Sequence, residues 1–86
     1  MYKIILSTKL KKFLLKHPDI SRKFYDSLKQ FSESCCPSEL DIKKLKGRKN
    51  DFRFRIGKYR LIYKVDWNKK MLYFYDVDSR GDIYKQ

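Results

Sequence analysis

The sequence predicts an α+β fold: an N-terminal strand, a helical hairpin, and then an antiparallel β-meander, with the helices packed on one face of the sheet. Two patterns carry this prediction. Apolar residues recur three or four positions apart between residues 10 and 31, which is the spacing of an amphipathic helix. Apolar and polar residues then alternate through residues 52–63, as they do in half-buried strands. We expect a single domain over residues 1–86.

The first half of the chain supplies one strand and both helices. Tyr2–Leu6 is an apolar, β-branched run and predicts a strand. Ser7 or Thr8 can cap the helix that follows, and Pro18 is well placed to open a second helix, which should run to about Ser34. The apolar stripes of the two helices consist of Leu10, Phe13 and Leu14, and then Ile20, Phe24, Leu28 and Phe31.

The residues that most often build metal or redox sites are few in this chain. Cys35 and Cys36 are adjacent, and neighbouring residues rarely close an unstrained disulfide. The only histidine, His17, is distant, and no second pair of thiols follows to complete a metal site. We interpret the cysteines as reduced residues at a helix end and His17 as a solvated turn residue. We predict no metal and no small-molecule cofactor.

The segment Phe52–Tyr63 alternates on both sides of a Gly57-Lys58 pair, which predicts a hairpin with a type II′ turn. In that register Arg55 faces Arg60, and like charges directly opposed on antiparallel strands are destabilising. The apolar face of the hairpin carries Phe52, Phe54, Ile56, Tyr59, Leu61 and Tyr63. The opposite face carries Arg53, Arg55 and Arg60. Such a face either lies in solvent or binds a polyanion.

Two further segments complete the predicted layout. Residues 35–51 form a connection with a dense cationic run at Lys43, Lys44, Lys46, Arg48 and Lys49. This run is either a solvated segment or a set of phosphate contacts beside the arginines, and the two readings can coexist. After the hairpin, the turn Asn68–Lys70 leads into a strand over Met71–Val77. Both faces of that strand are apolar or aromatic, so we expect it to be central in the sheet and covered on both sides.

The charge balance favours an anionic partner. Lys and Arg number 22 against 10 acidic residues, which gives a formal charge of +12 in 86 residues. With 42% hydrophobic residues the chain is too apolar for a disordered basic tail, so it should fold and bind nucleic acid or an acidic protein. A membrane partner is not expected, because no basic helix has a long apolar face. The absence of a signal peptide or transmembrane span predicts a cytoplasmic protein.

Three segments resemble the RelE branch of the RelE/ParE toxin superfamily. They are Lys44–Gly47, Phe52–Tyr63 and Asp76–Tyr84, and the most specific part is Gly57–Tyr63. The order of predicted elements resembles that family over nearly the whole chain. The resemblance implies a RelE-like fold and a toxin of a type II toxin–antitoxin system. Such a toxin is a ribosome-dependent endoribonuclease that cleaves mRNA in the ribosomal A site, and a cognate antitoxin neutralises it.

The resemblance also implies roles for individual residues. Arg53 and Arg55 match the two basic positions on the first hairpin strand, and Arg60 matches the phosphate-binding arginine of the next strand. Arg80 matches the basic residue after the last strand, a proposed general acid. Tyr84 matches the terminal tyrosine that stacks on the substrate nucleotide. The implied partners are the ribosome with its mRNA and an acidic antitoxin, which would bind either the arginine face or an apolar groove beside the helical hairpin.

The chemistry follows from the residue types without a metal. The 2′-OH of RNA can attack the adjacent phosphorus, and prearranged guanidinium groups stabilise the negative charge of the transition state. Arg55 stays protonated at any useful pH, so it does not serve as the base. Either Tyr84, with its pKa lowered by the arginines, accepts the proton, or ribosomal RNA positions the nucleophile without a strong protein base. In both cases the toxin alone should be a poor nuclease.

Two other functions are compatible with these residues. One is a ParE-like inhibitor of DNA gyrase, since gyrase-directed relatives share much of the strand pattern. The other is a non-catalytic basic RNA-binding module or degenerate toxin. A supercoiling assay beside a translation assay separates the first from an mRNA interferase, and growth arrest on expression separates the second.

Overall fold

The computed structural model describes residues 1–79, so Arg80 and Tyr84 lie outside the described residues. The elements follow the predicted order of strand, helices and antiparallel strands. The helical half consists of β1 (Lys3–Leu6), α1 (Thr8–Lys16), α2 (Pro18–Asp26) and α3 (Leu28–Glu33). The remaining strands are β2 (Ile42–Lys44), β3 (Asp51–Ile56), β4 (Tyr59–Asp66) and β5 (Met71–Ser79).

The five strands form one sheet in the order β1-β5-β4-β3-β2. Strands β2 to β5 pair antiparallel, as a meander does, while β1 runs parallel to β5 with Lys3 opposite Met71. Strand β5 therefore lies between the first strand of the chain and β4. Its predicted central position is confirmed.

The hydrophobic core lies between the helices and one face of the sheet. The Phe31 ring packs edge-on against the rings of Phe54, Tyr63 and Phe74, with centroids 5.2 to 5.4 Å apart. Leu10, like Phe31, is fully buried. Both predicted helical stripes therefore face the sheet, with their buried members Leu10, Leu14, Phe24 and Phe31.

The starts of the helices follow the predicted capping residues. Ser7 caps α1, and its Oγ accepts a hydrogen bond from the backbone N–H of Leu10 at 3.2 Å. Pro18 occupies the first turn of α2. His17, between the two helices, was predicted to be a solvated turn residue, but it is half-buried. Its ring stacks on that of Phe13 with the centroids 4.1 Å apart, and its Nδ1 lies 2.9 Å from the carbonyl oxygen of Phe13.

The predicted second helix is interrupted, and the prediction of one continuous helix to about Ser34 is wrong. Buried Ser27 separates α2 from α3, and its Oγ donates a hydrogen bond to the carbonyl of Phe24 at 2.6 Å. A serine hydroxyl that bonds the preceding turn offers the backbone an alternative to the regular helix. The apolar stripe continues across the break, so the spacing of the apolar residues gave no sign of the interruption.

The connection between helices and hairpin contains a strand that the sequence did not predict. Strand β2 has only three residues and pairs with β3, so that Ile42 lies opposite Phe54 and Lys43 opposite Arg53. It forms the edge of the sheet, and its two lysines are exposed. Short, lysine-rich strands are typical of protected edges. The cationic run therefore begins within the sheet and continues into the loop.

The face of the sheet away from the helices, here called the outer face, is partly open. Strand β5 buries Leu72 and Phe74 on the helix side, but Tyr73 on the outer face is 41% exposed. The expectation that β5 is covered on both sides is therefore wrong, because none of the helices within residues 1–79 covers its second face. Within the described residues, no helix is long and apolar enough to cross a membrane.

Candidate nucleic-acid interface

The β3–β4 hairpin has the predicted turn and register. Gly57 has a φ of +60° and Lys58 has no positive φ, the combination that a type II′ turn requires. Arg55 lies opposite Arg60 and Ile56 opposite Tyr59. Since Ile56 and its same-face neighbours are buried on the helix side, the hairpin arginines are forced onto the outer face.

Two rows of side chains cross the outer face at the hairpin. In the first row Lys43, Arg53, Ile62 and Asp76 are successive cross-strand partners. In the second row Arg55 pairs with Arg60, and Arg60 pairs with Asp78. The predicted arginines are therefore brought together, but carboxylates accompany them.

The second row is compensated at both of its ends. The Nε of Arg55 lies 2.9 Å from a carboxylate oxygen of Asp41, and Asp78 stands across from Arg60. The second row, extended by Asp41, therefore contains two carboxylates and two guanidinium groups and has no net formal charge. Its members in order are Asp41, Arg55, Arg60 and Asp78. These two acids offset the repulsion of the opposed guanidinium groups, which alone would destabilise the hairpin.

The three arginines differ in their environments. Arg60 is only 4% exposed, on a strand with neighbours on both sides, whereas Arg55 is exposed. Arg53 is half-buried, and its Nε has no hydrogen-bond partner among residues 1–79. Arg53 and Arg60 are therefore less accessible to solvent than Arg55, and a donor in a water-poor site is the kind that stabilises a transition state.

A cavity of about 360 Å³, here called the arginine cavity, opens between the outer face and residues 45–50, which we call the cationic loop. Arg53 forms its floor, and Lys46 and Arg48 come from the loop. Asp76 and Asp78 also line it, and the carboxylate of Asp76 forms an ion pair with Lys9 of α1. Cations and carboxylates thus meet around one opening, an arrangement that can hold a phosphate and accept a proton from a neighbouring hydroxyl.

The predicted binding lysines do not all reach this face. Lys43 is in register with Arg53 and belongs to the outer face, while Lys44 is in register with Phe52 and belongs to the helix side. Lys49 lies beyond the arginine cavity, in a neighbouring depression of the same face. Four of the five predicted cations, Lys44, Lys46, Arg48 and Lys49, line one depression around the loop, while Lys43 alone of the five lies in register with Arg53.

The cationic loop is tied to the sheet through a buried carboxylate. Asp51 is 6% exposed and accepts a hydrogen bond from the Tyr75 hydroxyl, which in turn accepts one from Nη1 of Arg48 at 3.1 Å. Burial, together with the hydrogen bond to Asp51, raises the pKa of Tyr75 above its usual value. Arg48 is therefore oriented by contacts between β3 and β5, although it lies on a loop.

The acids of the outer face were missed from the sequence because of one irregularity in β5. A β-bulge shifts the register, so that Phe74 pairs with Tyr63 but Asp76 pairs with Ile62, and Tyr75 is the extra residue. A bulge moves every later side chain to the other face. Without it Asp76 and Asp78 would point toward the helices. The period-two spacing of these two acids was the only available signal.

The two cysteines lie apart from the outer face. The thiols of Cys35 and Cys36 are both free and 3.5 Å apart after the end of α3. Burial raises the pKa of the Cys36 thiol to about 11, so it is protonated and unreactive near neutral pH. Within residues 1–79 no three His, Cys, Asp or Glu side chains are grouped to hold a metal ion.

Sequence relatives share this architecture. A sequence model of the family described as the ParE toxin of the type II toxin–antitoxin system parDE matches residues 4–84. The RelE1 protein of Methanocaldococcus jannaschii is 33% identical over 69 residues, which cover 79% of this chain and 77% of the relative. This chain belongs to the RelE/ParE toxin superfamily. The resemblance noted in the sequence is thereby confirmed.

Solved structures agree with the fold of this toxin. RelE in the RelE–RelB complex of Pyrococcus horikoshii superposes with a TM-score of 0.81 at 27% identity, covering 93% of this chain and 96% of that one. The match to the RelB–RelE complex of Methanococcus jannaschii has a TM-score of 0.73 at 28% identity, and it covers 94% of this chain and 95% of that one. The predicted RelE-like α+β fold is confirmed.

Proposed function

We propose that this toxin is a ribosome-dependent endoribonuclease that cleaves mRNA in the ribosomal A site. The observation that carries the proposal is the placement of Arg53, Arg55 and Arg60 on one face of the sheet, where Arg53 lines a cavity of about 360 Å³. The similarity to RelE proteins supports the same reading. A ribosomal substrate would make the toxin cytoplasmic.

The arginines supply the electrostatic part of the reaction. When the 2′-oxygen attacks phosphorus, negative charge grows on the phosphoryl oxygens, and the 5′-oxygen leaves with a proton. Buried Arg60 and half-buried Arg53 need little reorganisation to stabilise that charge. A guanidinium group also presents a planar fork that matches two phosphate oxygens. By resemblance Arg80 would donate the proton to the leaving oxygen, and Tyr84 would stack on the nucleotide.

The proton of the 2′-OH requires an acceptor that Arg55 cannot be. Asp78 offers a carboxylate on the wall of the arginine cavity, across the strand pair from Arg60. A carboxylate that lines the same cavity as Arg53 and lies across from Arg60 is placed to act as a general base. We therefore add Asp78 to Tyr84 and to ribosomal RNA as a candidate for this step.

The acids also explain why the ribosome would be needed. The row containing Arg55 and Arg60 has no net formal charge, so RNA gains little there from simple attraction. Affinity would come from the cationic loop, at Lys46, Arg48 and Lys49, and from the ribosome that presents the mRNA. Catalysis would then depend on positioning within the A site.

An acidic antitoxin is the second proposed partner. Two structural relatives of this toxin are RelE–RelB complexes, which supports a RelB-like chain. The formal charge of +12 favours association with an acidic partner and speeds the encounter.

The test is primer extension on mRNA from ribosomes programmed in vitro and treated with the purified toxin. We expect cuts within the A-site codon, no cuts in the same mRNA without ribosomes, and loss of cutting when the antitoxin is added in excess. Intact mRNA on toxin-treated ribosomes would contradict the proposal.

DNA gyrase inhibition is the second candidate, because the matching family model is that of ParE toxins. A gyrase supercoiling assay run beside the primer extension decides between them. Loss of supercoiling with intact mRNA favours the ParE-like function. Neither effect, together with salt-sensitive RNA binding, favours a non-catalytic RNA-binding module.

A further inference from the structure

A second cavity of the outer face lies next to the arginine cavity and has a different lining. Its volume is about 650 Å³, and it lies between the cationic loop and strands β4 and β5. We call it the tyrosine cavity, since Tyr73 and Tyr75 form one wall of it. Its remaining charged residues are Arg48, Lys49, Asp51 and Lys64.

The two tyrosines form an aromatic wall that solvent can reach. Their ring centroids are 5.9 Å apart and the rings are inclined by 24°. Tyr73 is partly exposed, although tyrosine buries well and the helix side of the same strand is fully packed. Exposed aromatic rings on a sheet are a common platform on which single-stranded nucleic acids stack their bases.

Tyr75 is held in place while Tyr73 remains available. The Tyr75 hydroxyl is engaged by both Asp51 and Arg48, so its ring orientation is set from two sides. Tyr73 is opposite Lys64 in the strand register. A base stacked on Tyr73 would therefore have a lysine ammonium group beside it for its phosphate.

The charge of the tyrosine cavity suits a polyanion. Three cations, Arg48, Lys49 and Lys64, line it against one carboxylate. That carboxylate, Asp51, is buried, accepts the hydrogen bond of Tyr75 and lies 3.8 Å from Nη1 of Arg48, so Arg48 offsets its charge and Lys49 and Lys64 supply the positive charge that remains. The row of Arg55 and Arg60 is compensated at both ends, whereas this cavity keeps its positive charge.

The two cavities are neighbours. Arg48 lines both cavities. Lys64 lines the tyrosine cavity and Ile62 lines the arginine cavity, and these two residues of β4 are about 7 Å apart along the strand. A single strand of a few nucleotides can therefore contact both openings at once. One cavity offers guanidinium groups for a phosphate, and the other offers an aromatic surface for a base.

We propose that the tyrosine cavity is a second RNA subsite, in which Tyr73 stacks on an unpaired base and Lys64 and Lys49 contact its phosphates. The subsite extends the RNA-binding surface beyond the residues expected to react. It rests on the proposed function only in taking RNA as the ligand, because its action does not require cleavage.

The test measures binding of a fluorescein-labelled 2′-O-methyl hexauridylate to the toxin without ribosomes, by fluorescence anisotropy. We expect Tyr73→Ala to weaken binding about tenfold, as loss of one stacked base does, and Tyr73→Phe to bind like the wild type. An abasic oligonucleotide of the same length should bind both variants equally. Lys64→Ala should lower the dependence of affinity on salt by about one phosphate contact.

Three results would overturn the subsite. One is unchanged hexauridylate binding by Tyr73→Ala at an unchanged melting temperature. Another is an equal loss for the abasic probe, which would show that stacking is not involved. The third is a loss confined to binding of the acidic antitoxin, which would make this cavity a protein-docking surface.

These outcomes are distinguishable from failure of the nuclease proposal. A toxin that leaves A-site mRNA intact but loses hexauridylate binding with Tyr73→Ala keeps the subsite and loses the proposed function. If the toxin cuts A-site mRNA but its Tyr73→Ala variant binds the probe normally, the proposed function stands and the subsite is wrong.

Discussion

On the helix side of the β3–β4 hairpin, Phe54 and Tyr63 pack against Phe31, and their burial is nearly complete. On the outer face of the same strands, Arg55 and Arg60 are opposed and are compensated by acids from neighbouring elements. The first face stabilises the fold by burying apolar surface. The second keeps charged groups in an arrangement that stability alone would not favour, which is typical of a functional surface.

The difference between the faces predicts where substitutions act, and the largest effect is expected on the helix side. Phe31→Ala should lower the free energy of unfolding by about 3–5 kcal/mol, because it leaves a cavity among three aromatic rings. Leu15→Ala is the matched control, since Leu15 is 83% exposed and should change stability by less than about 0.5 kcal/mol. Urea denaturation measures both, and equal losses would contradict this assignment of the core.

On the outer face, Asp78→Asn should reduce the rate of A-site cleavage about 100-fold, the usual contribution of a general base. Asp26→Asn on the exposed end of α2 removes the same charge far from the cavity and is the control. A rate for Asp78→Asn within threefold of the wild type would leave Tyr84 or ribosomal RNA as the acceptor.

The smallest effect is expected where Asp41 pairs with Arg55, at one end of the second row. Asp41→Asn releases Arg55 from its exposed ion pair, so RNA binding should tighten by no more than about fivefold while stability falls by less than about 1 kcal/mol. Glu39→Gln changes the same charge two residues earlier and serves as the control. Fluorescence anisotropy at low salt compares the two. Equal affinities would show that Asp41 does not mask Arg55.

The sequence predicted the features that depend on local periodicity. The register of Arg55 with Arg60 followed from the alternation around Gly57, and the helical stripes followed from the spacing of Leu10 through Phe31. These predictions succeeded because one face of each element is buried, and burial sets the register strongly.

The features that were missed depend on contacts between distant segments. The bulge at Tyr75 decides that Asp76 and Asp78 lie in register with Ile62 and Arg60, and a single extra residue leaves no periodic trace in so short a strand. Strand β2 forms because β3 offers it an edge, not because its three residues favour a strand. The pairing of Asp41 with Arg55 follows from β2 and could not be foreseen without it.

The most direct measurement is the single-turnover rate of A-site mRNA cleavage by Arg60→Ala and Arg60→Lys, beside Lys29→Ala on the opposite side of the molecule. If the outer face stabilises the transition state, Arg60→Ala should lose a factor of about 10²–10³. Arg60→Lys should also be impaired, since a lysine keeps the charge but lacks the planar fork. Lys29→Ala should cleave like the wild type, and all three variants should bind the antitoxin. Cleavage by a folded Arg60→Ala at the wild-type rate would contradict a catalytic role for this face.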